Sequence, residues 1–235
     1  MYPLIINNLT KIFSPKTGWF TSYKQSSPTK VIDNISFSLK EGEIVGLVGS
    51  NGAGKSTLMH MLIGILTPSS GTINYFGKDF SQNRSALLED VSFGSSYFKL
   101  PQSLTVLQNL QFFAQMYTMP KKISEEKIDN LIFTFGLSDH AYKKIANLSA
   151  GESNKISIIK AFLPDSKIVL LDEPTAFLDN KTATLVRALI KEQREKSGTT
   201  FFLTSHNEQD ITELCDRVLT LDRGRIKEDS CGKRS

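Results

Sequence analysis

Gly49-Ser50-Asn51-Gly52-Ala53-Gly54-Lys55-Ser56-Thr57 is the stretch that decides the reading of this 235-residue chain. It meets every fixed position of the G-x-x-x-x-G-K-[ST] phosphate loop and lies where that loop must, between a strand and a helix. The apolar run Ile44–Val48 before it suits a buried parallel strand, and Lys55–Ile65 after it reads as a helix. The glycines let the backbone curl so that successive N–H groups point inward, at a helix amino terminus that already favours anions. Lys55 should reach the β- and γ-phosphates, and the Ser56 hydroxyl should ligate Mg²⁺. A functionless glycine-rich turn has no need of all the fixed positions together with both flanks.

Working outward, Ile168-Val169-Leu170-Leu171-Asp172-Glu173 is an apolar strand ending in two acids. Taken alone, it is a strand running into an acidic turn. Beside a phosphate loop, Asp172 suits Mg²⁺, directly or through water, and Glu173 is placed to polarise an attacking water as general base. Leu148-Ser149-Ala150-Gly151-Glu152 contains a capping box, Ser149 with Glu152 three residues on, at the start of a helix carrying Ile156, Ile159 and Ala161. Such a capped amino terminus, with a Ser hydroxyl and a Gly backbone N–H, is also a γ-phosphate site.

Strands are expected at Leu4–Leu9, Ile35–Leu39, Thr72–Phe76, Thr200–Thr204 and Arg217–Leu221 as well. Further helices are expected at Glu125–Phe135, Ser153–Phe162, Lys181–Lys196 and Asn207–Cys215. Leu104–Leu163 reads as mostly helical, an all-α insertion in an α/β core. Ser14–Thr29 reads as a polar surface loop whose Trp19, Phe20 and Tyr23 are expected to pack on the chain itself, the alternative being contact with a partner or the membrane surface. The residues after Arg225 read as a polar tail.

Composition narrows the class. Hydrophobic content of 40% and charged content of 22% are ordinary for a globular protein, and a net charge of +4 permits contact with anionic lipid or nucleic acid without arguing for either; no nucleic-acid partner is expected. Cys215 and Cys231 are too few for a disulfide scaffold, which suits a reducing compartment. Met1–Thr10 shows no signal-peptide pattern, and no apolar run approaches the roughly 20 residues that span a bilayer. A path across a membrane would have to come from another chain.

Together these motifs resemble a known family. The phosphate loop, LSAGE at 148–152, LLDEP at 170–174, Ala176-Phe177-Leu178-Asp179 and Ser205-His206 stand in the order and rough spacing of ABC transporter ATP-binding subunits, from about Ile5 to Lys227. The resemblance implies an α/β fold: a P-loop NTPase core with a mostly parallel sheet, an antiparallel β subdomain and an inserted α-helical subdomain. The core would be 1–95 and 164–235, with helices at about 96–163. It implies ATP and Mg²⁺ as ligands, held at Gly49, Ser50, Asn51, Gly52, Ala53, Gly54, Lys55, Ser56 and Thr57. Ser56 and Asp172 would hold the metal, and Lys55, Glu173 and His206 would serve catalysis. His206 takes the place of the family's switch histidine, and Phe13 that of the aromatic stacked on adenine; the alternative for Phe13 is a buried strand-end ring.

LSAGE resembles the family's LSGGQ signature, whose Ser149 and Gly151 would touch the γ-phosphate bound by a second, facing ATP-binding subunit, either the same chain or a similar one. Other implied partners are integral membrane subunits, seated in a groove lined from Ser95 to Gln111, including Tyr97, Phe98 and Leu100. The protein would then be cytoplasmic and peripheral to the membrane. The long loop after Phe13 favours export. The alternatives are a non-transport ABC-type ATPase acting on ribosomes or nucleic acid, and a P-loop switch or kinase, which leaves LSAGE and Ser205-His206 unexplained. Three departures stand out. Ala150 and Glu152 replace a Gly and the Gln of the signature, Phe177 stands where a small or polar residue is usual, and Ser96 falls where the family has a metal-facing glutamine. Ser96 is read as too short to reach Mg²⁺ unless the loop moves inward or a water bridges the gap, so that Ser56 and Asp172 carry most of the hold.

Overall fold

The computed structural model describes residues 2–14 and 27–231. Trp19, Phe20 and Tyr23 lie outside the described residues. Two sheets organise the chain. The larger runs β10(Arg225–Cys231)-β9(Arg217–Asp222)-β3(Ile44–Val48)-β8(Thr200–Thr204)-β7(Ile168–Asp172)-β6(Val91–Ser95). It is parallel throughout except for β10, which pairs antiparallel with β9. The smaller, antiparallel sheet has the order β2(Thr29–Leu39)-β1(Leu4–Phe13)-β4(Ser70–Tyr75)-β5(Lys78–Asp79).

The central strands read as unbroken apolar runs because both faces are covered. Alternation divides their side chains between two cores. Val45, Leu47, Ile168, Leu170 and Phe202 face the small sheet and α1(Lys55–Leu62). Val169, Leu171, Phe201 and Leu203 face the helices that follow β6 and β7. These are α3(Val106–Met116), α4(Lys121–Thr134), α5(Ala150–Ile159) and α6(Asn180–Ser197); α2(Phe80–Leu88) precedes β6, and α7(Glu208–Leu214) follows β8. An α/β core with a mostly parallel sheet, an antiparallel sheet and a helical stretch between β6 and β7 is the architecture the sequence implies.

Several elements depart from the sequence reading. α2, β5 and β6 are additional, α3 falls in the stretch read as mostly helical, and the polar tail after Arg225 is an edge strand, β10. α5 starts at Ala150, ahead of the Ser153 bound and directly after Ser149 as the capping box implies. The Ser149 Oγ accepts from Glu152 N at 3.2 Å, and Ser149 N donates to Glu152 Oε2 at 2.8 Å. The Ser149 hydroxyl, 2.7 Å from Glu152 Oε2, and then the Ser149 N–H hold the Glu152 carboxyl below its usual range.

Candidate active site

The loop between β3 and α1 is built by steric exclusion. A Cβ at Gly49 would lie 2.2 Å from Leu221 O, so the turn packs directly on β9. Gly54 has φ +113, and a Cβ there would meet Ile32 Cδ1 at 2.7 Å and Val31 O at 2.9 Å. Only glycine satisfies both demands. The result is a cavity of about 280 Å³ lined by Ser50, Asn51, Gly52, Gly54, Lys55, Ser56, Thr57, Val31, Tyr97, Asp172, Glu173 and His206.

Strand ends bring the acids to this cavity. β7 and β8 pair Asp172 with Thr204. The buried Thr204 hydroxyl donates to Asp172 Oδ1 at 2.7 Å and accepts from Glu173 N at 3.0 Å, which orients consecutive acids from one neighbour. Glu173 itself has φ +53, a left-handed conformation costly for a long side chain. Its Oε2 accepts from His206 N at 3.0 Å. Oε1 is buried without a hydrogen-bond partner, although His206 Nε2 lies 3.4 Å away. A buried acceptor left open beside a phosphate cradle is the geometry a water-polarising carboxylate requires.

The Lys55 ammonium is turned into the same space. It donates to Gly49 O at 2.7 Å and to His206 Nε2 at 2.9 Å, an assignment that makes that ring nitrogen the acceptor. Burial lowers the Lys55 pKa, and the negative charges of Glu173 and Asp172 partly oppose that shift.

The metal reading fits the donor set. Ser56 and Asp172 supply oxygen to one cavity, and a small hard cation is held by one or two protein oxygens together with phosphates. Ser96 does not join them. Its hydroxyl is committed to Glu173 O at 2.7 Å and Ala176 O at 3.2 Å, so it braces the turn after β7 instead of facing a metal or a bridging water. The residue this loop presents to the cavity is Tyr97, stacked edge-on against Phe177 with centroids 5.7 Å apart. Of the residues expected to line a groove for membrane subunits, Leu100 is buried in the core, Tyr97 faces the phosphate-loop cavity, and Phe98 lines a separate cavity with Phe93, Phe113, Met116 and Lys160.

Gly49 and Ala53 of the expected loop residues do not line the cavity, and two further groups of expected site residues stand apart from it. Ser149 is exposed at the start of α5, and a side chain at Gly151 would meet open space. Phe13 is 41% exposed at the end of β1, with Lys11 Nζ 5.1 Å from its ring centre, which leaves no room for the buried strand-end alternative.

The profile of the ABC transporter family matches residues 32–176, more than half of the chain. The chain belongs to the ABC transporter family. A methionine import ATP-binding protein of Geobacillus kaustophilus is 31% identical over 96% of this chain, which spans 64% of that relative. A spermidine/putrescine import ATP-binding protein of Borrelia garinii is 30% identical over 87% of this chain and 58% of its own length. A solved ATP-binding subunit of an ABC transporter superimposes with TM-score 0.83 at 25% identity, covering 97% of this chain and 89% of that one. The ABC chain thus spans about three-fifths of the curated relatives it matches. Both curated relatives are import proteins, which runs against the expectation of export.

Proposed function

We propose that this ABC protein binds ATP and hydrolyses it to power transport through separate membrane subunits. The observation that carries this reading is the convergence of Lys55, Glu173 and His206 on one phosphate-loop cavity, with the open Glu173 Oε1 among them. Lys55 and the loop N–H groups bind the β- and γ-phosphates, Glu173 takes the proton of the attacking water, and His206 holds the γ-phosphate end. Ser56 and Asp172 would hold Mg²⁺, which would supply charge neutralisation on the phosphates. Phe13 offers an exposed face for adenine.

Ser149 and Gly151 lie at an exposed helix start outside the cavity, which supports a role on the ATP of a second ATP-binding subunit. Phe98, Met116 and the neighbouring side chains form an apolar groove that supports seating a membrane subunit, and no helix among the described residues is long and apolar enough to cross a membrane itself. The protein would act at the cytoplasmic face, attached through those subunits, with no nucleic-acid partner. The relatives' direction favours import, and the membrane chains determine the cargo. Release of phosphate from Mg-ATP by the purified chain, set against Lys55→Ala, tests the reading. Turnover with loss of ATP binding in the variant supports it; equal nucleotide affinity in direct titration overturns it.

A further inference from the structure

Asp210, on α7, is fully buried and does not line the phosphate cavity. Its carboxylate is nevertheless shared by groups from separate segments. Oδ1 accepts from Arg187 Nε of α6 at 2.7 Å. Oδ2 accepts from Thr175 Oγ1 at 2.5 Å and from Ser205 Oγ at 2.8 Å. Thr175 stands two residues after Glu173, and Ser205 immediately precedes His206. One carboxylate therefore holds both loops that carry the acid and the histidine, close to the residues themselves.

The strand pairing alone does not fix that relation. β7 and β8 are in register through Asp172 and Thr204, and the chain leaves the sheet on both sides there. Beyond the strand ends, Glu173 turns into the left-handed region, and its Oε2 meets the His206 backbone N–H. A strained residue persists only where its surroundings over-determine it. Ser205 Oγ also accepts from Asn207 N at 3.0 Å, so the loop is pinned on either side of His206. Arg187, itself buried, supplies the counter-charge beside that carboxylate.

We propose that Asp210, held by Arg187, is a positioning residue for ATP hydrolysis. Through Thr175 and Ser205 it sets Glu173 and His206 relative to each other without touching nucleotide. This rests on the proposed ATPase function. A misplacement of about 1 Å in a reacting group costs about a hundredfold in rate, so a clamp two residues away is felt in turnover before it is felt in binding.

Asp210→Asn would leave Arg187 buried without a counter-charge, so the test removes the hydroxyl donors instead. Thr175→Val and Ser205→Ala each cut one link to Asp210, Ser205→Ala removing the acceptor for Asn207 N as well, and the double variant cuts both links. Each single variant is expected to lower kcat about tenfold or more, with KM for ATP within about twofold. The double variant should fall no further than the slower single, because both links act through one carboxylate. Amide exchange at His206 should accelerate in both singles while exchange at Lys55 stays as in the parent. Unchanged kcat, a rise in KM that accounts for the whole loss, or additive losses in the double variant overturns the proposal. A parent chain that hydrolyses no ATP defeats the proposed function instead; unchanged His206 exchange then defeats the positioning link independently.

Discussion

Lys160 is a cation in the wrong place for stability, and replacing it gives a measurable consequence. It sits where α5 ends, 5% exposed, with its ammonium bonded to Phe93 O at 2.8 Å and lying 4.3 Å from the centre of the Phe98 ring and 4.8 Å from that of Phe113. No carboxylate among the described residues pairs with it. Burial pushes its pKa down from 10.5 to about 8. At about 1.4 kcal/mol per tenfold, this displacement corresponds to about 3 kcal/mol against the charged form, a figure that the aromatic faces reduce. The sign follows from proton counting. Between pH 8 and 10.5 the unfolded chain holds a proton that the folded chain has released, so the parent gains stability as pH rises through that window. Below pH 8 both states are charged and the full penalty applies. Lys160→Met keeps the stem and removes the charge. Urea unfolding of parent and variant should therefore show the variant more stable at pH 7, by about 1–3 kcal/mol after loss of the Phe93 O bond. That advantage should shrink by about 3 kcal/mol by pH 10.5. A difference between the two proteins that stays constant with pH refutes the reasoning.

Other substitutions probe the loop and its bracing. Gly54→Ala forces a left-handed alanine against Ile32 and Val31 O; the strain of about 1–2 kcal/mol plus the clash should lower thermal stability and weaken ATP binding, as calorimetry of the variant would show. Ser96→Ala removes the donor to Glu173 O and Ala176 O. It should cost about 1–3 kcal/mol in unfolding experiments while leaving the Mg²⁺ dependence of ATP turnover in place. A shifted Mg²⁺ requirement would return Ser96 to the metal. Arg187→Met strands the Asp210 carboxylate and should destabilise by about 3–5 kcal/mol in urea titration, far more than an exposed substitution such as Lys191→Met.

What could be read from the sequence was what is local. The phosphate loop, the LLDEP strand end and the Ser149 capping box each carry their chemistry within a few residues, so pattern and structure agree there. Elements whose stability comes from neighbours left no such trace. Val91–Ser95 contains Ser92, Gly94 and Ser95 and forms no apolar run, yet it is a buried strand. Gly94 lets the stretch at the end of α5 approach so closely that a Cβ would lie 3.0 Å from Ala161 Cβ. Arg225–Cys231 reads as a tail because an edge strand keeps polar side chains in water and gains only its pairing with β9. Ser96 illustrates the limit at the site. Alignment by spacing gives its place in the chain, but not that its short side chain turns toward the backbone of Glu173 and Ala176, which leaves the cavity wall to Tyr97. The Asp210 contacts join residues up to 35 apart in sequence, and no local pattern marks them.

The central claim is that Glu173 activates water at a site that binds ATP without it. Its direct test is Glu173→Gln, which keeps the shape of the side chain and an acceptor for His206 N, followed by single-turnover hydrolysis and nucleotide titration on the same preparation. The account predicts ATP affinity close to that of the parent and a hydrolysis rate lower by about 10²–10⁴-fold. Hydrolysis within about threefold of the parent rate, where a general base contributes about 10²-fold or more, would contradict it.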